Sequence, residues 1–226
     1  MLRLSEIVSL PGWHPEAASF VPFAVHGFLI HHPDGPIVFD TGIGHGNADI
    51  DSAYGHKSED LIAELHRHHV DERDIVCLAN SHLHFDHCGQ YHKLRVPIFV
   101  QRAEQAAAQE PGYTIPEWAA IDPALARMVD GDIELAPGVR ALVTPGHTPG
   151  HQSIVIDAAD GCIVIAAQCI FRASAWSGGV EDTNLHDPSW REAAAESLNR
   201  LRACAPTQVL LSHDVAIDVR NGQNFR

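Results

Sequence analysis

The sequence predicts a mixed α/β fold, a layered sandwich with strands in two groups and helices between and after them. Three observations predict it. Short apolar runs with breaks fill residues 20–40, 75–79 and 97–100, and similar runs return over 132–167 and 207–211. Helix-like stretches separate or follow them, over 58–70, 102–110 and 187–201. The 226 residues, 45% hydrophobic and 19% charged, have an ordinary globular composition and read as one domain spanning 1–226. A chain of this size buries roughly 70% of its unfolded surface and needs no disulfide staples.

The first group is a meander: Phe20–Val25, Gly27–Ile30 and Pro36–Phe39, the last two joined by an Asp34-Gly35 turn and followed by Asp40-Thr41-Gly42. Residues 43–56 read as a loop. Ser58 is expected to cap a helix with Glu59 and Asp60 in its first turn and Leu61, Ile62, Leu65 and Val70 on one face. Ile75–Ala79 reads as a buried strand, and Pro97–Val100 as the next. The Ala- and Gln-rich run Arg102–Glu110 reads as helix. Residues 111–130, with three prolines, fit neither element cleanly; their Tyr113, Trp118 and Met128 are candidates for an apolar substrate wall or for ordinary packing. Strands follow at Asp132–Leu135, Ala141–Val143, Gln152–Ile156 and Gly161–Cys169. Asp187 at N-cap and Pro188 at N1 open the last helix, whose Trp190, Ala194, Leu198 and Leu201 form a core stripe. Thr207–Leu211 is a buried strand, and the polar tail from Arg220 is expected to be loosely held.

A formal charge of −14 with His neutral repels nucleic acid and anionic membrane. The five cysteines are odd in number and contain no CxxC pair, which points to a reducing compartment. No basic stretch leads into a long apolar run, and nothing approaches the ~20 apolar residues of a membrane span, so the expected location is cytoplasmic. The expected partner is a small molecule, without nucleic acid or membrane; a homodimer is compatible with the sequence but not specified by it.

The chemistry concentrates in Ser81-His82-Leu83-His84-Phe85-Asp86-His87. On an extended backbone His82 and His84 point to the same side, and a helical turn after them would bring back Asp86 and His87. Imidazole and carboxylate are the ligands a zinc-like ion prefers. With 17 His in the chain a solvated His-rich loop is the alternative, but the strand in front argues for delivered ligands. No Gly-x-Ser-x-Gly elbow or phosphate-cradling loop offers a competing chemistry.

His82-x-His84-x-Asp86-His87 behind a hydrophobic strand resembles the signature of the metallo-β-lactamase-fold hydrolases. Phe39-Asp40-Thr41-Gly42, Thr144-Pro145-Gly146-His147-Thr148-Pro149-Gly150-His151 and Ser212-His213-Asp214 match in order and spacing. The resemblance implies an αββα sandwich and one or two Zn²⁺ ions. His82, His84 and His147 would hold one ion; Asp86, His87 and His213 would hold the other. His151 would be a structural hydrogen-bonder and Asp40 a support behind the ligands. It also implies catalysis by a metal-bound hydroxide, with Asp86 orienting it and passing a proton to the leaving oxygen. Within the superfamily the chain is most similar to the acyl-homoserine lactonases. Two departures stand out. Gln168 occupies the position of the usual metal-bridging Asp, which predicts a weaker second ion. Phe171 stands where many lactonases have a substrate-contacting Tyr. The alternatives are a β-lactamase-like hydrolase without the bridging Asp, a mononuclear iron persulfide dioxygenase, and a metal-binding protein without turnover.

Overall fold

A computed structural model describes residues 2–8, 22–54, 57–181, 184–185, 187–221 and 223–225. Phe20 and Val21 of the expected first strand, His56, and Gly222 and Arg226 of the tail lie outside them. The chain runs β1 (Leu2–Val8), β2 (Pro22–Ile30), β3 (Ile37–Phe39), α1 (Ala48–Tyr54), β4 (Lys57–Ser58), α2 (Leu61–Arg67), β5 (Cys77–Ala79) and α3 (Phe85–Cys88). It continues through β6 (Ile98–Gln101), α4 (Arg102–Ala107), α5 (Pro116–Ala119), β7 (Ala126–Val129), β8 (Ile133–Ala136), β9 (Val139–Val143), β10 (Gln152–Ala158) and β11 (Gly161–Ala167). It ends with α6 (Ala175–Gly178), α7 (Arg191–Ala203), β12 (Gln208–Leu211), β13 (Ala216–Asp218) and β14 (Gln223–Phe225).

The strands form two seven-stranded sheets, ordered β4-β1-β2-β3-β5-β6-β7 and β14-β13-β12-β11-β10-β9-β8. The mixed α/β class is as the sequence predicts. The contacts divide the chain into two compact units, Met1–Phe99 with Ala108–Arg127, and Val100–Ala107 with Met128–Arg226. None of the described helices is long and apolar enough to cross a membrane.

In the first unit β3 and β5 run parallel, as do β5 and β6. β3 and β5 are buried along their whole length, which is why both read as unbroken apolar runs. Parallel neighbours end at the same edge, so the loops leaving β3 and β5 meet there, carrying Asp40 and Ser81. Asp40 has a left-handed backbone (φ 62°), which turns the chain sharply out of β3. In the second unit β11 and β12 are the parallel pair, and the loops after them carry Gln168 and His213. Ala167 repeats the device with φ 50° beside a register shift in β11. The core of this unit gathers Val155, Val164, Leu198, Leu201, Val209 and Leu211. Burying each Leu of α7 there contributes roughly 1.5–3 kcal/mol.

Several expectations need correction. Residues 48–54, read as loop, form α1 behind Asn47, whose side chain accepts from the main-chain N–H groups of Asp49 and Ile50. The cap of α2 is Asp60, not Ser58: its carboxylate accepts from Ala63 N–H, while Ser58 pairs with β1. Val70 lies beyond the end of α2. The helix expected over 102–110 stops at Ala107. Residues 111–130 contain α5 and β7. Asp187 caps a three-ten turn, Pro188–Trp190, from which α7 continues. The strand expected to run to Cys169 ends at Ala167. The tail called loose includes β14, paired with β13. Edge strands such as these are held by backbone hydrogen bonds, which leave no apolar period to read.

Candidate metal centre

The first unit supplies four donors on one short turn. β5 ends at Ala79, His82 and His84 follow on extended chain, and α3 begins at Phe85 with His84 as its N-cap. His82 Nε2 and His84 Nδ1 lie 3.1 Å apart. His87 Nε2 lies 3.3 Å from an Asp86 carboxylate oxygen. Two ligands on one tetrahedral zinc at ordinary bond lengths are about 3.3 Å apart, so both separations suit a shared cation.

Asp40 orients this cluster. Its carboxylate is fully buried and accepts from Ser81 N–H (2.7 Å), Ser81 Oγ (2.7 Å) and His87 Nδ1 (3.0 Å). Ser81 Oγ also meets His82 Nδ1 at 2.9 Å. Both rings therefore donate through Nδ1 toward Asp40, directly or through Ser81, and keep their Nε2 lone pairs for an ion. The His87 carbonyl accepts from Thr41 N–H, Thr41 Oγ1 and Asn80 Nδ2, which locks α3 to the end of β3. Gly89 is required there: a Cβ would lie 1.9 Å from Gly44 N.

Burial pushes the His87 imidazole down, but the Asp86 and Asp40 carboxylates outweigh it and raise the bare ring to about 10. That environment attracts positive charge, whether a proton or a metal ion. Tyr113 lies over the His84 ring, centroids 4.7 Å apart. Trp118 is 9% exposed, with its ring edge against Gly44. The Tyr54 ring lies tilted against Phe85, centroids 4.9 Å apart, in a stretch read as loop.

The second unit supplies His147, Gln168 and His213. His147 Nδ1 donates to the Asn184 carbonyl at 2.9 Å. His151 is used on both nitrogens: Nδ1 meets Thr144 Oγ1 and O at 2.9 and 3.1 Å, and Nε2 accepts from Gln168 N–H at 3.3 Å. His147 is thus oriented through Nδ1, whereas His151 is tied into the loop through both nitrogens. Gln168 Oε1 lies 3.0 Å from His213 Nε2, and the Phe171 ring stacks on His213 at 4.9 Å. Met128 lies on β7, half-buried.

Sequence reasoning missed two residues of this unit. Glu104 on α4 is fully buried and accepts from Thr148 Oγ1 (2.7 Å) and Gly150 N–H (3.1 Å), bracing the His147 loop. A Cβ on Gly150 would lie 2.2 Å from Glu104 N, so the approach needs that glycine. Asn184 is the other. A buried carboxylate in a helix-like run could have prompted the question for Glu104; nothing marked Asn184.

The family model described as the Metallo-beta-lactamase superfamily matches residues 21–213. The chain belongs to the metallo-β-lactamase superfamily. Its His-rich donor sets accord with a divalent metal. Curated superfamily relatives include N-acyl homoserine lactonases. One, from Bacillus sp., is 34% identical over 170 residues, 69% of this chain and 62% of that protein. Another, from Bacillus cereus, is 30% identical over 205 residues, 83% of this chain and 80% of that protein. A solved N-acyl homoserine lactone hydrolase, with its product N-hexanoyl-L-homoserine at the catalytic metal center, superposes with a TM-score of 0.80 at 25% identity. That match covers 95% of this chain and 91% of the other.

Proposed function

We propose that this superfamily member is a metal-dependent lactonase that opens the ring of an N-acyl homoserine lactone, a quorum-quenching hydrolase. The observation that carries the reading is the Asp40-braced donor turn His82–His87, in a chain whose relatives carry that activity by name. One ion would be held by His82, His84 and His147 and the second by Asp86, His87 and His213, with the Gln168 amide oxygen beside His213. Zinc is the resident ion of this reading, because the donor sets are imidazole-rich with a carboxylate, ligands that suit zinc. The two units would act as one catalytic domain, in the cytoplasm, on a small-molecule substrate.

Bound divalent ions supply Lewis acidity, polarising the lactone carbonyl and making hydroxide available at neutral pH by lowering the pKa of water toward ~7. The protein does the rest. Asp40 fixes the His82 and His87 rings. Asp86 takes the proton of the attacking water and returns it to the ring oxygen as the acyl C–O bond breaks, so water adds and N-acyl homoserine leaves. Tyr113 over His84 and Phe171 over His213 offer ring surface to an apolar acyl chain. Phe171 has no hydroxyl, so substrate orientation rests on other groups.

The test is hydrolysis of a long-chain acyl-homoserine lactone by zinc-reconstituted protein, followed as acid release. Turnover abolished by a chelator is the expected result; none with fully loaded protein would sink the reading. Asp86→Ala should lower kcat by about 10²–10⁴ with metal content retained at one ion or more. Unchanged turnover would remove Asp86 from its role.

A further inference from the structure

We infer that Asn184 is a positioning residue that turns the neutral amide of Gln168 into a fixed oxygen donor at the ion held by His213. The inference rests on the metal-dependent hydrolase reading and goes beyond it, since nothing in the sequence marks Asn184.

The orientation of both amides follows from one unambiguous acceptor. Asn184 Nδ2 donates to the main-chain carbonyl of Gln168 at 2.8 Å. A carbonyl can only accept, so the other side-chain atom of Asn184 is oxygen. That oxygen accepts from Gln168 Nε2 at 3.3 Å. The remaining terminal atom of Gln168 is therefore Oε1, and it is this atom that sits 3.0 Å from His213 Nε2. Without Asn184 the amide could rotate and present –NH₂, which no cation accepts. The backbone adds a second hold: the Asn184 carbonyl accepts from His147 Nδ1–H at 2.9 Å and fixes that ring. Asn184 is 7% exposed, as buried as Gln168 and His213. A Glu at position 168 would set a carboxylate oxygen against the Asn184 side-chain oxygen, so Asn184 suits the amide of Gln168.

The test is metal titration of chelator-stripped full-length protein with Co²⁺, following ligand-field absorption and stoichiometry, with Zn²⁺ competition for affinities. Variants are Asn184→Ala, Asn184→Asp, Gln168→Leu and the double Asn184→Ala/Gln168→Leu. Wild type should take two ions. Asn184→Ala should weaken the second about tenfold, within the range for residues that orient ligands, and leave the first within about threefold. Gln168→Leu should do the same, and the double should be no worse than Gln168→Leu alone. Asn184→Asp keeps an acceptor facing Gln168 Nε2 but sets a carboxylate oxygen against the Gln168 carbonyl, so it should weaken the second ion as Asn184→Ala does. Equal losses at both ions, or additive losses in the double, would show a merely structural role and overturn the inference. A wild type that takes one ion would also overturn it while leaving the hydrolase reading intact. A wild type that binds none would bring down that reading itself.

Discussion

The two units hold their donors by different means. In the first, a buried carboxylate stands behind the rings: Asp40 accepts from His87 directly and from His82 through Ser81. In the second, the rings are held by neutral groups, His147 on the Asn184 carbonyl and His213 beside the Gln168 amide. A carboxylate partner makes a ligating imidazole more basic and adds negative charge near the cation; an amide or carbonyl fixes orientation alone. The second unit does bury a carboxylate near its donors, but Glu104 grips Thr148 and Gly150 rather than a ring. The lesson is a difference in means: a buried carboxylate braces donor rings in the first unit, and neutral oxygens meet those of the second.

Three experiments press on that contrast. Asp40→Ala should have the largest effect, because it leaves a buried His87 beside Asp86 without its brace. A loss of about 3–5 kcal/mol in thermal stability is expected, with loss of bound metal. A variant that kept both would end the claim that charge governs the first unit.

The pH profile comes next. His87 is raised from 6.5 to about 10 in the metal-free protein. A raised folded-state value means that its stabilising contribution is complete below about pH 6.5 and is lost as pH climbs toward 10. The Tm of chelator-treated protein should therefore fall over that window, and Asp40→Asn should flatten the fall. A metal-loaded sample should not show it, since the ion replaces the proton. A flat profile in the stripped wild type would refute the electrostatic account.

Glu104→Ala should have the smallest effect, about 1–3 kcal/mol, from two buried donors left unsatisfied. Glu104→Gln keeps the size and one acceptor oxygen and should cost less than half as much. Equal costs measured by thermal unfolding would mean that the charge of Glu104, not its shape, supports the loop.

The sequence by itself determined the mixed α/β class, the buried strand that ends at Ala79 and the donor turn behind it, because each is local. A period of two along extended chain brings His82 beside His84, and a helical turn at Phe85 brings Asp86 beside His87, within a few residues of backbone. The doubled Thr-Pro-Gly-His loop and Asp40 were legible through the family resemblance. Only the tertiary structure decided which carboxylate meets which ring, since Asp40 and His87 are 47 residues apart and Glu104 and Thr148 are 44 apart. The resemblance already favoured His147 over His151 as the ligand, and the structure adds that both nitrogens of His151 are engaged within its own loop region. Asn184 shows the limit most clearly: a lone amide has no period and no motif, and its role exists only where a carbonyl, an amide and an imidazole converge on it.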